Sequence, residues 1–302
     1  MTQQQRDALD AAMRESPLDT TVSPQEHRRD FALRFTPPLP DGVDARELTV
    51  GGVPALRLDV AGASTTTGTV LYLHGGGYMI GSARSRAPMA SELARNAGAT
   101  VVSIDYRLAP EHPFPAAVED ALAAYRGLLD SGTPADSVVV AGDSAGGGLA
   151  VVLLLAARDA GLPLPAGAVV FSPWTDLTLS GRSVDTKAGR DPLFDRSALT
   201  WYADHYLAGA DPADPRVSPV LADLSGLPPL FVQVGSHEVL VDDAVRLAGA
   251  AAEADVEVRL EVVAQVPHVF HTVFGALDEA DAALARAGAF VRERLTADAL
   301  VP

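Results

Sequence analysis

Cysteine is absent from the 302 residues, which removes disulfides and thiolate metal sites from consideration and leaves the redox compartment unread. A basic stripe is absent too. The formal net charge is −16, from 39 acidic and 23 basic side chains, with a pI near 4.7. That balance argues against nucleic acid or an anionic membrane surface as a partner. Long apolar runs are also missing: the most apolar stretch, 149–157, is about half the length of a bilayer span. The opening residues, Met1-Thr2-Gln3-Gln4-Gln5-Arg6-Asp7, carry no apolar core of the kind a secretory signal needs. These absences point to a soluble, cytoplasmic protein with no membrane contact. There is no internal repeat and no low-complexity linker. A 48% hydrophobic chain of this length can bury one large core, so a single domain over 1–302 is expected.

What is present is a regular alternation. After a polar, proline-punctuated segment over 1–40, with one or two short helices, two alternating runs at 46–50 and 55–60 predict an antiparallel strand pair. Short apolar strands at 69–73, 100–104, 138–141 and 168–172 then alternate with helices at 87–97, 116–129 and 145–158. This is the pattern of an α/β protein with a mostly parallel sheet covered on both faces. The alternation stops at Pro173, and 173–228 holds one clear helix, 197–207, among many Asp and Pro residues. That is too long for a plain loop. Trp201, Tyr202 and Tyr206 favour an ordered lid. The core resumes with a strand at 230–234, a helix at 239–252, a strand at 256–263 and a closing helix at 277–295.

Gly142-Asp143-Ser144-Ala145-Gly146 lies between an apolar strand and an apolar helix, so Ser144 occupies the apex of a tight turn. Bulky neighbours would clash there, and such a turn exposes the serine Oγ as a nucleophile. His74-Gly75-Gly76-Gly77 follows another strand end. Its glycines leave backbone N–H groups open to an oxyanion, and Gly76, Gly77 and Ala145 are the expected donors. His74 itself reads as structural. A serine needs a base, and the base an orienting acid. Of seven histidines, His268, in a loop after the last strand, is the candidate base, with His271 as the main decoy. His27, His112, His205 and His237 read as structural or surface residues. The two histidines three apart have no partner at metal-ligand spacing, and no metal is expected. Glu238 lies in the turn after the strand at 230–234 and is the candidate acid. Asp242 remains the alternative, although it also suits a helix N-cap.

Three motifs taken together, His74-Gly75-Gly76-Gly77, Tyr106-Arg107-Leu108-Ala109-Pro110-Glu111 and Gly142-Asp143-Ser144-Ala145-Gly146-Gly147, resemble the bacterial hormone-sensitive-lipase-like esterases over about 45–300. The resemblance implies an α/β-hydrolase fold with a mostly parallel eight-stranded sheet, helices on both faces and a helical cap. The cap would be formed by about 1–40 and 173–228, on a core of about 45–172 and 229–300. It also implies cofactor-free hydrolysis of carboxylic esters. In that family an Asp-Pro-Leu-x-Asp stretch often supplies the acid; here Glu238-Val239-Leu240-Val241-Asp242 stands in its place. Asp143, Tyr106, Arg107 and Glu111 match positions that look architectural. Apolar residues near the motifs, Tyr78, Met79, Leu193, Val269 and Phe270, together with Tyr202 and Tyr206, are the expected pocket lining.

The expected activity is hydrolysis of small esters with short acyl chains. Lactones, being internal esters, are an alternative. A non-catalytic receptor on this fold, resembling the plant gibberellin receptors, would have a broken triad, and this set is intact. Epoxide hydrolases and dehalogenases need aspartate at the elbow apex. The strand at 256–263 has no proline to protect it at the sheet edge, so a homodimer through it is expected. Its alternation of apolar and charged residues further predicts one face packed on the core.

Overall fold

The computed structural model describes residues 3–15, 19–61 and 68–296. Its strands are β1 (Val43–Val50), β2 (Val53–Val60), β3 (Thr69–Leu73), β4 (Thr100–Ile104), β5 (Val138–Asp143), β6 (Gly167–Phe171), β7 (Leu230–Gly235) and β8 (Val258–Val263). They form one eight-stranded sheet in the order β1-β2-β4-β3-β5-β6-β7-β8. β2 runs antiparallel to both neighbours, and every other pairing is parallel. The helices are α1 (Gln3–Glu15), α2 (Pro24–Arg34), α3 (Ala83–Ala97), α4 (Ala116–Asp130), α5 (Ala145–Asp159), α6 (Ser183–Thr186), α7 (Arg196–Leu207), α8 (Val241–Glu253) and α9 (Asp278–Thr296). Among the described residues, no helix is long and apolar enough to cross a membrane.

The central strands are apolar on both faces because both faces are covered. Every residue of β4, β5, β6 and β7 is buried. One face packs against α4, α5 and α8, and the other against α3 and α9. α5 is buried almost all round, which is why it reads as continuously apolar rather than amphipathic. The parallel strands all point the same way, so the loops leaving β3, β5, β7 and β8 emerge along one edge. These are the loops that carry His74, Ser144, Glu238 and His268.

Two expectations need correction at β8. The strand begins at Val258 rather than at 256, because Asp255 takes a left-handed conformation and Val256 donates back to the Ala251 carbonyl. Its apolar face is also packed on the core only at Val258. No residue of β8 is fully buried, and Leu260 and Val262 are 38% and 46% exposed. α8 crosses β7 and β8, but its buried face is mostly alanine and too shallow to cover those side chains. The helix expected over 239–252 likewise starts two residues later. Val239 is held in the preceding turn, donating its N–H to Asp191 Oδ2 at 2.9 Å.

Candidate active site

Ser144 sits between β5 and α5 at φ 54°, ψ −123°, a conformation that a side-chain-bearing residue holds only when its surroundings impose it. Its N–H donates to the Phe171 carbonyl at 2.8 Å, and its carbonyl accepts from Gly148 and Trp174. The flanking glycines are steric necessities. A Cβ on Gly142 would lie 2.2 Å from the Gly146 carbonyl oxygen, and one on Gly146 would lie 2.1 Å from that of Leu73. With its backbone locked, the serine presents Oγ to His268 Nε2 at 2.9 Å.

On the other side of the ring, His268 Nδ1 meets Glu238 Oε1 at 3.0 Å. Glu238 is fully buried, and its second oxygen accepts from Ser172 Oγ at 2.7 Å and Gly235 N–H at 2.8 Å. A carboxylate facing Nδ1 assigns the ring proton there, leaving Nε2 as the acceptor for the serine hydroxyl. Burial pushes the His268 pKa down. The Glu238 charge and hydrogen bond, with Asp191 and Asp143, more than offset that, and the net shift is upward. Ser172 was not singled out from sequence, yet it links the two loops: it donates to Glu238 and accepts from Val269 N–H at 3.1 Å.

Asp242 does not reach this chain of hydrogen bonds, nor does it cap α8, whose cap position is Leu240. It exchanges hydrogen bonds with Ser183 of the insert instead. His271 is buried beside Phe171 and Phe270, with both ring nitrogens unpartnered among the described residues and its pKa pushed down by burial to about 3. Around the serine, the N–H groups of Gly76, Gly77 and Ala145 have no protein acceptor among the described residues. Asp143 holds the glycine loop beneath them. Its Oδ1 accepts from Gly75 N–H and the Tyr72 hydroxyl, and its Oδ2 from Arg86 Nε. His74 is structural, stacked on Tyr106, whose hydroxyl donates to the His74 carbonyl at 2.7 Å. Arg107 pairs with Asp120, and Glu111 pairs with Arg28 of α2, tying the N-terminal arm to the core. No group of three or more His, Asp or Glu side chains among the described residues could hold a metal ion.

The sequence and the fold have close counterparts. A family model described as alpha/beta hydrolase fold matches residues 70–272. An acetyl-hydrolase from Streptomyces hygroscopicus is 52% identical over 224 residues, 74% of this chain and 75% of its own. A crystal structure of an esterase from the bacterial hormone-sensitive lipase family superposes with a TM-score of 0.93 at 42% identity, covering 98% of this chain and 99% of that one. The esterase EstE5, in a crystal soaked with p-nitrophenyl butyrate, also gives a TM-score of 0.93, at 39% identity over 98% and 100% of the two chains. The chain belongs to the bacterial hormone-sensitive lipase family of α/β-hydrolases.

In this hydrolase, Ser144, His268, Gly76 and Gly77 open into a cavity of about 570 Å³. Three of the expected lining residues, Leu193, Tyr202 and Val269, face it. Tyr78, Met79, Tyr206 and Phe270 do not, and this corrects the expected lining. Tyr78 and Tyr206 stack on each other at 3.8 Å and are buried, as are Met79 and Phe270. Their places are taken by residues that carry no motif: Leu9 and Met13 of α1, Phe31 of α2, and Phe194, whose ring meets His268 edge-on at 5.2 Å. Asp191 seats Phe194, accepting from the Leu193 and Phe194 N–H groups while also holding Val239, the residue after Glu238. Burial holds the Asp191 carboxyl above the usual carboxylate range.

Proposed function

We propose that this carboxylic ester hydrolase cleaves small esters with short acyl chains through an acyl-enzyme on Ser144. His268 takes the hydroxyl proton as Oγ attacks the ester carbonyl. Glu238 keeps the ring proton on Nδ1 and stabilises the imidazolium that forms. The oxyanion is met by the N–H groups of Gly76, Gly77 and Ala145, donors of a kind worth about 3–4 kcal/mol each in activation free energy. The alcohol leaves with the proton from His268, and water repeats the sequence to release the acid. The single observation that carries this reading is the unbroken hydrogen-bond chain from Ser144 Oγ through His268 to Glu238. The helices of the N-terminal arm and the 173–228 insert, which both line the cavity, act as its cap.

The short-acyl preference is supported by the acetyl-hydrolase relative and by the neighbour soaked with a butyrate ester. Rates on p-nitrophenyl esters of increasing chain length test it. The expected maximum lies at roughly two to six acyl carbons, with no activation at an oil–water interface, since among the described residues the cap has no long apolar helix to dock on lipid. A maximum at long-chain esters would overturn the preference. We also infer a homodimer through β8, which ends the sheet and pairs only with β7 while leaving Leu260 and Val262 uncovered.

A further inference from the structure

The charge lining the cavity runs against the charge of the chain. Acidic side chains outnumber basic ones by 39 to 23. Yet among the described residues the cavity lining contains no Asp or Glu and two guanidinium groups, Arg34 and Arg86. Arg86, in the first turn of α3, has a side chain only 14% exposed. Its Nε donates to Asp143 Oδ2 at 2.9 Å, and among the described residues neither Nη nitrogen has a protein acceptor. The guanidinium carbon lies 5.7 Å from the ring centroid of Phe31, which lines the same cavity. Arg34 ends α2, and among the described residues its side chain makes no ion pair or hydrogen bond, although the Asp19 carboxylate feels its charge.

A guanidinium has five donors, and the Asp143 contact uses one of Arg86's. The remaining donors of a largely buried cation, facing a cavity without a carboxylate, fit an oxyanion held by parallel hydrogen bonds. Volume leads to the same place. A cavity of about 570 Å³ lies within the ~300–1,000 Å³ range that encloses drug-sized ligands, far more than an acetyl group fills. We propose that the alcohol part of the ester carries a carboxylate, received by Arg86 with Arg34 as a second cation. This rests on the short-acyl reading above, which leaves the alcohol part to fill the cavity. The long-range field of a chain at −16 repels an anion, so recognition is local, by contact with these two groups.

The test compares para-acetoxyphenylpropanoate with its primary amide, which has the same shape and no charge. The carboxylate is expected to be favoured by ~10-fold or more in kcat/KM, through KM, as befits hydrogen bonds to a charged group. In Arg34→Met and Arg86→Met that ratio is expected to fall toward one. Because the ratio is internal to each variant, a general loss of activity does not move it. If Arg86→Met does not fold, the exposed Arg34 substitution still decides. A native ratio of one or less, or a ratio unchanged in the variants that fold, overturns the proposal. Cleavage of p-nitrophenyl acetate but of neither test ester overturns it while leaving the hydrolase reading intact. Failure on all three esters overturns that reading, and the proposal with it.

Discussion

At the scale of single residues, the identity of the acid separates two carboxylates only four positions apart. Glu238 stands in the turn after β7, buried and bonded to His268, Ser172 and Gly235, while Asp242 faces Ser183 of the insert. Replacing Glu238 with Gln is expected to lower kcat on the order of 10⁴-fold, the loss typical when a triad carboxylate becomes an amide. It also removes the charge that raises the His268 pKa. The base must be neutral, so the acid limb of the kcat/KM profile should move to lower pH. Asp242→Ala is expected to leave both quantities near the native values, and a comparable loss there would reverse the assignment. Sequence made Ser144, Glu238 and His268 legible because each follows a strand end marked by glycine or proline. Ser172 and Asp191 were not legible. Each acts through contacts with residues distant in the chain, His268's loop for one and the Glu238 turn for the other; Ser172 carries no local signature, and Asp191 opens an Asp-Pro-Leu-x-Asp stretch that lies in the insert rather than after β7.

At the scale of elements, buried carboxyls couple the insert to the core. Asp243, in the first turn of α8, accepts from the Thr175 and Asp176 N–H groups, and burial raises its pKa to about 8. A folded-state pKa above the ordinary 3.8 means that the folded protein holds a proton the unfolded chain releases. Its stabilising contribution is therefore present below the unfolded value and is lost as pH rises through about 8. Asp243→Asn keeps an oxygen for both N–H groups and removes the titration. Melting temperatures measured at about pH 5 and about pH 9 should diverge less in this variant than in the native protein. Equal divergence would exclude Asp243 as the cause. Helix starts were legible for α4 and α5 but not for α3 and α8. The helix expected over 87–97 begins earlier: α3 starts at Ala83 behind a Ser82–Ser85 capping box and carries Pro88 inside. α1 and α2 read as one or two short helices in a polar arm, without bounds, because α2 buries just His27 and Phe31 and α1 buries nothing fully. Their part in lining the cavity depends on where the arm folds back, which periodicity does not encode.

At the scale of the molecule, the alternation of strands and helices revealed a covered parallel sheet, but strand order and the open face of β8 depend on non-local packing. The proposed dimer follows from that open edge. Light scattering should give twice the chain mass at micromolar concentration, and Val258→Pro, which removes a backbone donor on the edge strand, should shift the protein to monomer. A native monomer, or a dimer that persists in a folded Val258→Pro variant, counts against this interface. The central claim, that catalysis runs through an acyl-enzyme on Ser144, is tested most directly with a serine-directed fluorophosphonate followed by peptide mapping. One label per chain, on Ser144, with activity falling in step, is the expected result. Ser144→Ala should then stay unlabelled, with kcat reduced on the order of 10⁶-fold. Inactivation by a label on another serine, or a Ser144→Ala enzyme that keeps more than a few per cent of native activity, would contradict the account.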